Sequence, residues 1–191
     1  AETTIEITTV PTFPPHAAVL EDVLQGGEKA KARLRKAIGE GQLGPAYSED
    51  AVVTTAAPDE LVWPCALYID GFEHAKHDSA IGFWLHNIIL DRRHLLAFLM
   101  LSELCGCGCR GWCTVWAIWN MVAWSVCWLR QGRHPELREQ DRAWRAADTV
   151  WEAVAGRRLG FKAMILFLKC DLKEVACSLG FPACGGNTNP C

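Results

Sequence analysis

Polar and apolar residues alternate through the opening AETTIEITTVPTFPP, residues 1–15, until its three prolines end the pattern. Alternation of period two predicts an extended arm, and proline, with its fixed φ and missing amide donor, keeps that arm out of a helix. From Ala17 to Ile38 the spacing becomes helical, broken in the middle by Gly26 and Gly27. The second half carries Lys29, Lys31, Arg33, Arg35 and Lys36 among alanines, read as a solvated face in preference to a phosphate site. Gly39 to Glu60 is rich in glycine, proline and acids and reads as a linker. The expected organisation is therefore an arm, helix and linker over residues 1–60 and a core over 61–191.

That core opens on WPCALYID, where Cys65, Leu67 and Ile69 alternate with Ala66, Tyr68 and Asp70 as in a strand, with Asp70 at or near its end. After the polar GFEHAKHD come SAIGFWLHNIIL, a turn-like DRR and HLLAFLMLSEL. A hairpin is predicted, although the Leu, Met and Ala of its second arm suit a helix equally well. Farther on, LGFKAMILFLKCD reads as a strand buried on both faces and closed by Asp171. LKEVACSL then predicts a helix halted by Gly180.

Between hairpin and last strand, Gly111 to Leu129 runs nineteen residues without a charge, flanked by Arg110 and Arg130. Such a run is long enough to cross a bilayer. Asn120 lies at its middle, and Trp112, Trp116, Trp119, Trp124 and Trp128 are spread along it instead of forming belts at the ends. A buried central helix is favoured over a membrane span, with the tryptophans as core packing. Arg130 to Arg158 is arginine-rich and amphipathic and predicts one or two surface helices.

Composition narrows the class. Half the residues are hydrophobic and 21% charged, the balance of a folded chain and not of a disordered one. With a net charge of only −3, the whole molecule is no electrostatic binder of nucleic acid, so any such binding belongs to local patches. Ten cysteines suggest secretion, yet no cleavable leader opens the sequence and the cysteines are clustered. A reducing, intracellular compartment is expected. The chain starts without Met and ends on Cys191 after an irregular GGNTNP, which reads as a fragment.

Two sets of residues carry candidate chemistry. Cys105, Cys107, Cys109 and Cys113 fall within LCGCGCRGWC, between hairpin and long helix. Thiolates are good Zn²⁺ ligands, but C-x-C-x-C-x3-C is tighter than the usual pairs two to four residues apart. The expected tetrahedron takes two or three of these and is completed by His94 or by Cys184 and Cys191. Free thiols are the alternative. The second set is Asp70 and Asp171, each closing a predicted strand. The order three strands, helix, strand is that of the ribonuclease-H-like α/β fold, a mixed sheet with flanking helices whose first- and fourth-strand carboxylates meet. Such a pair can hold Mg²⁺ for phosphodiester transfer. Each acid also has an ordinary role: Asp171 with Glu174 matches a helix capping box, and Asp70 before Gly71 can open a turn. His74 and His77 could ligate metal too, but two histidines in a polar loop are more often solvated.

The segments LYIDG, RRHLLAFLMLSELCGCGCRGWCTVW, GRHP and LGFKAMILFLKCDLKEVACSLGFP, in that order, resemble a family of uncharacterised proteins found in very many copies in certain protist genomes. The resemblance covers Pro64 to Cys191, and its copy number suggests a mobile element. FLKCDLKEVACSLGFP followed by a cysteine is also similar to the second-aspartate region of CACTA-type transposases. That similarity implies that Asp70 and Asp171 are the first two acids of a DDE triad and that Cys191 begins a zinc-binding insert. Cys170 stands where the protist family usually has a glycine, and the chain ends before a third acid. The resemblance thus implies an incomplete transposase-like core that binds DNA and is nuclear. A zinc-stabilised interaction module and a single-span membrane protein are the rival expectations.

Overall fold

The computed structural model describes residues 10–75, 78–109 and 111–169. Helix α1, Pro15–Gly39, comes first, followed by the four-residue helices α2, Pro45–Ser48, and α3, Ala51–Thr54. Strands β1, Val62–Ala75, β2, Asp78–Asn87, and β3, Arg92–Met100, form a meander. Helix α4, Trp112–Gln131, the short helix α5, Thr149–Val154, and strand β4, Lys162–Lys169, complete the order. The chain is thus mixed α/β: one four-stranded sheet in the order β3-β2-β1-β4, antiparallel except where β4 runs parallel to β1, with flanking helices.

The alternation in WPCALYID places Trp63, Cys65, Leu67 and Ile69 on one face, all buried. Ile81, Phe83 and Leu85 of β2, Leu96, Ala97 and Leu99 of β3 and Ala163 of β4 extend that face into a single core. Two helices cover it. Helix α1 contributes Ala18, Val19, Val23, Ala30 and Leu34, and α4 contributes Val115, Ile118, Met121, Val122 and Leu129. The glycine break expected in α1 is Gly27, whose backbone (φ 52°, ψ −145°) is open to glycine and strained for other residues.

The segment expected to stand apart from the core belongs to it. Asp22 of α1 is fully buried, and its Oδ1 accepts from His94 Nε2 at 2.9 Å and from the Arg92 guanidinium at 3.4 Å, both on β3. The expected linker holds α2 and α3, which lay Tyr47 and Val52 against Val62 and Met164 as a small second cluster. The Tyr47 hydroxyl donates to the Val62 carbonyl at 2.7 Å.

The hairpin expected here is formed, and its ambiguous second arm is the strand β3, because pairing with β2 satisfies its backbone and buries Leu96, Ala97 and Leu99. Three other stretches differ from expectation. Helix α4 is buried along one face only: Trp112 and Trp116 are exposed, while the smaller Val115, Ile118, Met121, Val122 and Ser125 meet the core. It is, among the described residues, the one helix long and apolar enough to cross a membrane, and a third of its most apolar stretch is buried. Strand β4 is an edge among the described residues. Ala163 and Met164 are buried, but Phe167 and Leu168 are about half exposed (48% and 47%). The arginine-rich stretch after α4 is mostly irregular, with a 3-10 turn at Glu139–Asp141 and the short α5.

Candidate metal centre

The segment after β3 makes a 3-10 turn, Leu101–Glu103, and then a tight loop that ends at α4. Gly111 caps the helix with a left-handed backbone (φ 83°), and the Leu104 side chain sits where a Cβ at this position would go. A side chain there would disfavour both the backbone and the packing. The loop is tied to the helix by its own backbone. Cys105 N–H donates to Thr114 Oγ1 at 3.0 Å, Trp112 N–H to the Cys109 carbonyl at 3.1 Å, and Cys113 N–H to Cys109 Sγ at 3.4 Å.

These bonds gather Cys105, Cys107, Cys109 and Cys113 so that their sulfurs all lie within 4.8 Å of one another. All four are free thiols; Cys105 and Cys109 are half-buried and Cys107 and Cys113 exposed. Cys107 and Cys113 are 3.7 Å apart at sulfur. Four sulfurs bound to one ion at about 2.3 Å in a tetrahedron are about 3.8 Å apart, so this separation is close to a tetrahedral edge. The tight spacing does not keep the sulfurs apart: the loop folds back on the first turn of α4 and brings all four of them together.

Electrostatics favour a thiolate here. The Cys109 thiol is lowered to about 6, first by the Cys113 backbone N–H aimed at its sulfur and then by the Cys107 thiol. Cys113 is pushed up to about 12, chiefly by its hydrogen bond to Cys109, and Cys107 is raised, chiefly by its bond to Cys105. One sulfur thus carries the first negative charge while neighbouring thiols donate to it. The amides at the start of the twenty-residue α4 add a favourable potential for an anionic centre at the same place. Four closely spaced cysteines in this arrangement could hold a metal ion such as zinc.

The other expected ligands stand elsewhere or lie outside the described residues. The His94 ring is engaged by Asp22 beneath α1, so it is not the fourth ligand of the cysteine loop. Cys184, Cys191 and Asp171 lie outside the described residues, as do the side chains of His74 and His77.

Asp70 is within β1 and not at its end, since the strand continues to Ala75 paired with β2, with a register shift between Glu73 and Ala75. It pairs with Gly82 on the face turned away from α1 and α4, and its Oδ2 accepts from the Tyr68 hydroxyl at 2.7 Å. Aromatic rings surround it. Trp84 lies over Gly82, where any Cβ would collide with the indole, and packs 5.5 Å from Tyr68 and 6.3 Å from Phe72, centre to centre.

Sequence reasoning did not anticipate the buried pair His16 and Ser125. Ser125 Oγ accepts the His16 backbone N–H at 2.8 Å and lies 2.8 Å from the ring Nδ1, so one serine of α4 caps the start of α1. Nothing in local spacing announces a contact between residues 109 positions apart. Comparison with protein-family models, curated proteins and solved structures gives no match to this chain.

Proposed function

We propose that the protein is a zinc-stabilised α/β module in which Cys105, Cys107, Cys109 and Cys113 bind one Zn²⁺ and fix the loop to the head of α4. The convergence of four thiols with a sulfur separation of 3.7 Å supports this reading. With four thiolates and no open position, such an ion organises structure and does no chemistry. Its charge also sets the protonation of its ligands, because metal binding displaces the remaining thiol protons. Elemental analysis of the purified reduced chain should give one zinc per molecule. In the double variant Cys105→Ser, Cys109→Ser that zinc should be lost and the melting temperature should fall; a metal-free wild type would refute the reading.

The sheet order favours a second reading. A three-stranded meander whose first strand is flanked by a parallel fourth strand, reached through a long helix, is the arrangement expected of the ribonuclease-H-like fold. In that reading the chain is a mobile-element-derived, transposase-like core. Asp70 and Asp171 would hold Mg²⁺ against DNA. Titration with Mn²⁺ as a paramagnetic stand-in for Mg²⁺ should show a site lost in both Asp70→Asn and Asp171→Asn. Equal Mn²⁺ binding by the wild type and both variants would remove the carboxylates from this role.

A further inference from the structure

We propose that Cys107 and Cys113 are an oxidation site, a thiol pair that a hydroperoxide joins as a disulfide with loss of the metal. The proposal rests on the four-cysteine reading above and adds a reaction to it. Exposure and distance select this pair. Cys107 and Cys113 are the two exposed ligands, whereas Cys105 and Cys109 are half-buried. The alternatives 105/107 and 107/109 are only two residues apart and would close strained rings. Cys109 Sγ is already engaged by the Cys113 N–H, and Cys105 is half-buried, with its backbone fixed by the N–H bond to Thr114 Oγ1. From 3.7 Å, reaching a bond of about 2.05 Å needs an approach of roughly 1.7 Å, within reach of side-chain rotation on an exposed loop.

The step balances. One thiolate of the pair attacks a peroxide oxygen, the O–O bond breaks, and hydroxide leaves from a sulfenic acid. The second thiolate attacks that sulfur, the S–S bond forms, and a second hydroxide departs. Two protons from solvent turn both hydroxides into water, so hydrogen peroxide is reduced by two electrons and the two sulfurs supply them. A zinc ion held by the four cysteines would be left with only the Cys105 and Cys109 sulfurs, and its release would involve no change in its oxidation state. Because Cys113 lies in the first turn of α4, closure also pulls on the turn that anchors the loop.

The test uses the full zinc-loaded chain, one equivalent of hydrogen peroxide, a zinc-sensitive chromophore, and alkylation followed by peptide mass mapping. Release of the zinc, loss of two alkylatable thiols, a Cys107–Cys113 linked peptide and recovery with dithiothreitol plus zinc would support the proposal. Retained zinc, or release with the bridge elsewhere or with sulfinic acid instead, would overturn it. In Cys107→Ser no disulfide should form and any bound zinc should survive the same dose; undiminished release there also overturns it. A reduced wild type that carries no zinc at the outset sinks the metal reading itself, a result separate from zinc that is bound but not released.

Discussion

His16 shows how one side chain ties stability to pH. Only 1% exposed, between the edges of Trp124 and Trp151, it has its imidazole lowered to about 3, first by desolvation and then by nearby His134. In the unfolded chain the ring takes a proton near its ordinary value of 6.5. Between these two values the unfolded state therefore binds a proton that the folded state refuses. Stability is complete above pH 6.5 and falls as the pH drops, with a slope approaching about 1.4 kcal/mol per pH unit below pH 6. Urea unfolding at pH 7, 6 and 5 should show that loss, and His16→Gln, which cannot titrate, should flatten it. An equal slope in the variant would show that other groups cause it; His134, also lowered by burial, is the first to examine.

The elements divide by how local their causes are. The hairpin and the glycine break in α1 are legible because alternation, turn residues and glycine act within a few positions. Strand β1 was legible for the same reason, but its length was not: pairing with β2 carries it five residues past Asp70, through a polar stretch that pattern reading leaves as a loop. Helix α4 was expected from its uncharged run, yet the face it buries follows from the sheet below it. Val115, Ile118, Val122, Ser125 and Leu129 recur every three or four residues and take the side that meets the sheet and α1, Trp119 packs against Phe83 at its margin, and Trp112 and Trp116 face outward, 5.5 Å apart. The irregular stretch before β4 is held by indole donors instead of by helical periodicity: Trp124 donates to the Leu137 carbonyl and Trp144 to the Glu136 carbonyl. Those bonds satisfy backbone groups that a helix would have paired itself.

At the scale of the molecule, α1 is part of the sheet's own core. Leu34 is fully buried within it, so Leu34→Ala should cost about 2–5 kcal/mol through lost contacts and a residual cavity. In differential scanning calorimetry the loss should lower a single transition that includes the sheet. Two separable transitions, with only the first one moved, would mean that α1 folds apart from the strands. The composition break at Gly39 to Glu60 suggested such a separation, because a polar, glycine-rich stretch looks the same whether it joins two domains or crosses the surface of one. The sequence by itself determined the strand pattern, the long apolar helix, the mixed α/β class and the identity of the four cysteines as candidate ligands, since all of these rest on local periodicity and residue chemistry. Tertiary structure alone decided that the four sulfurs converge, that His94 answers to Asp22 instead of to the cysteine loop, that Ser125 caps α1, and that Asp70 sits among aromatic rings on the sheet's other face. Each of these depends on distances between segments far apart in the chain, which packing sets and periodicity does not encode.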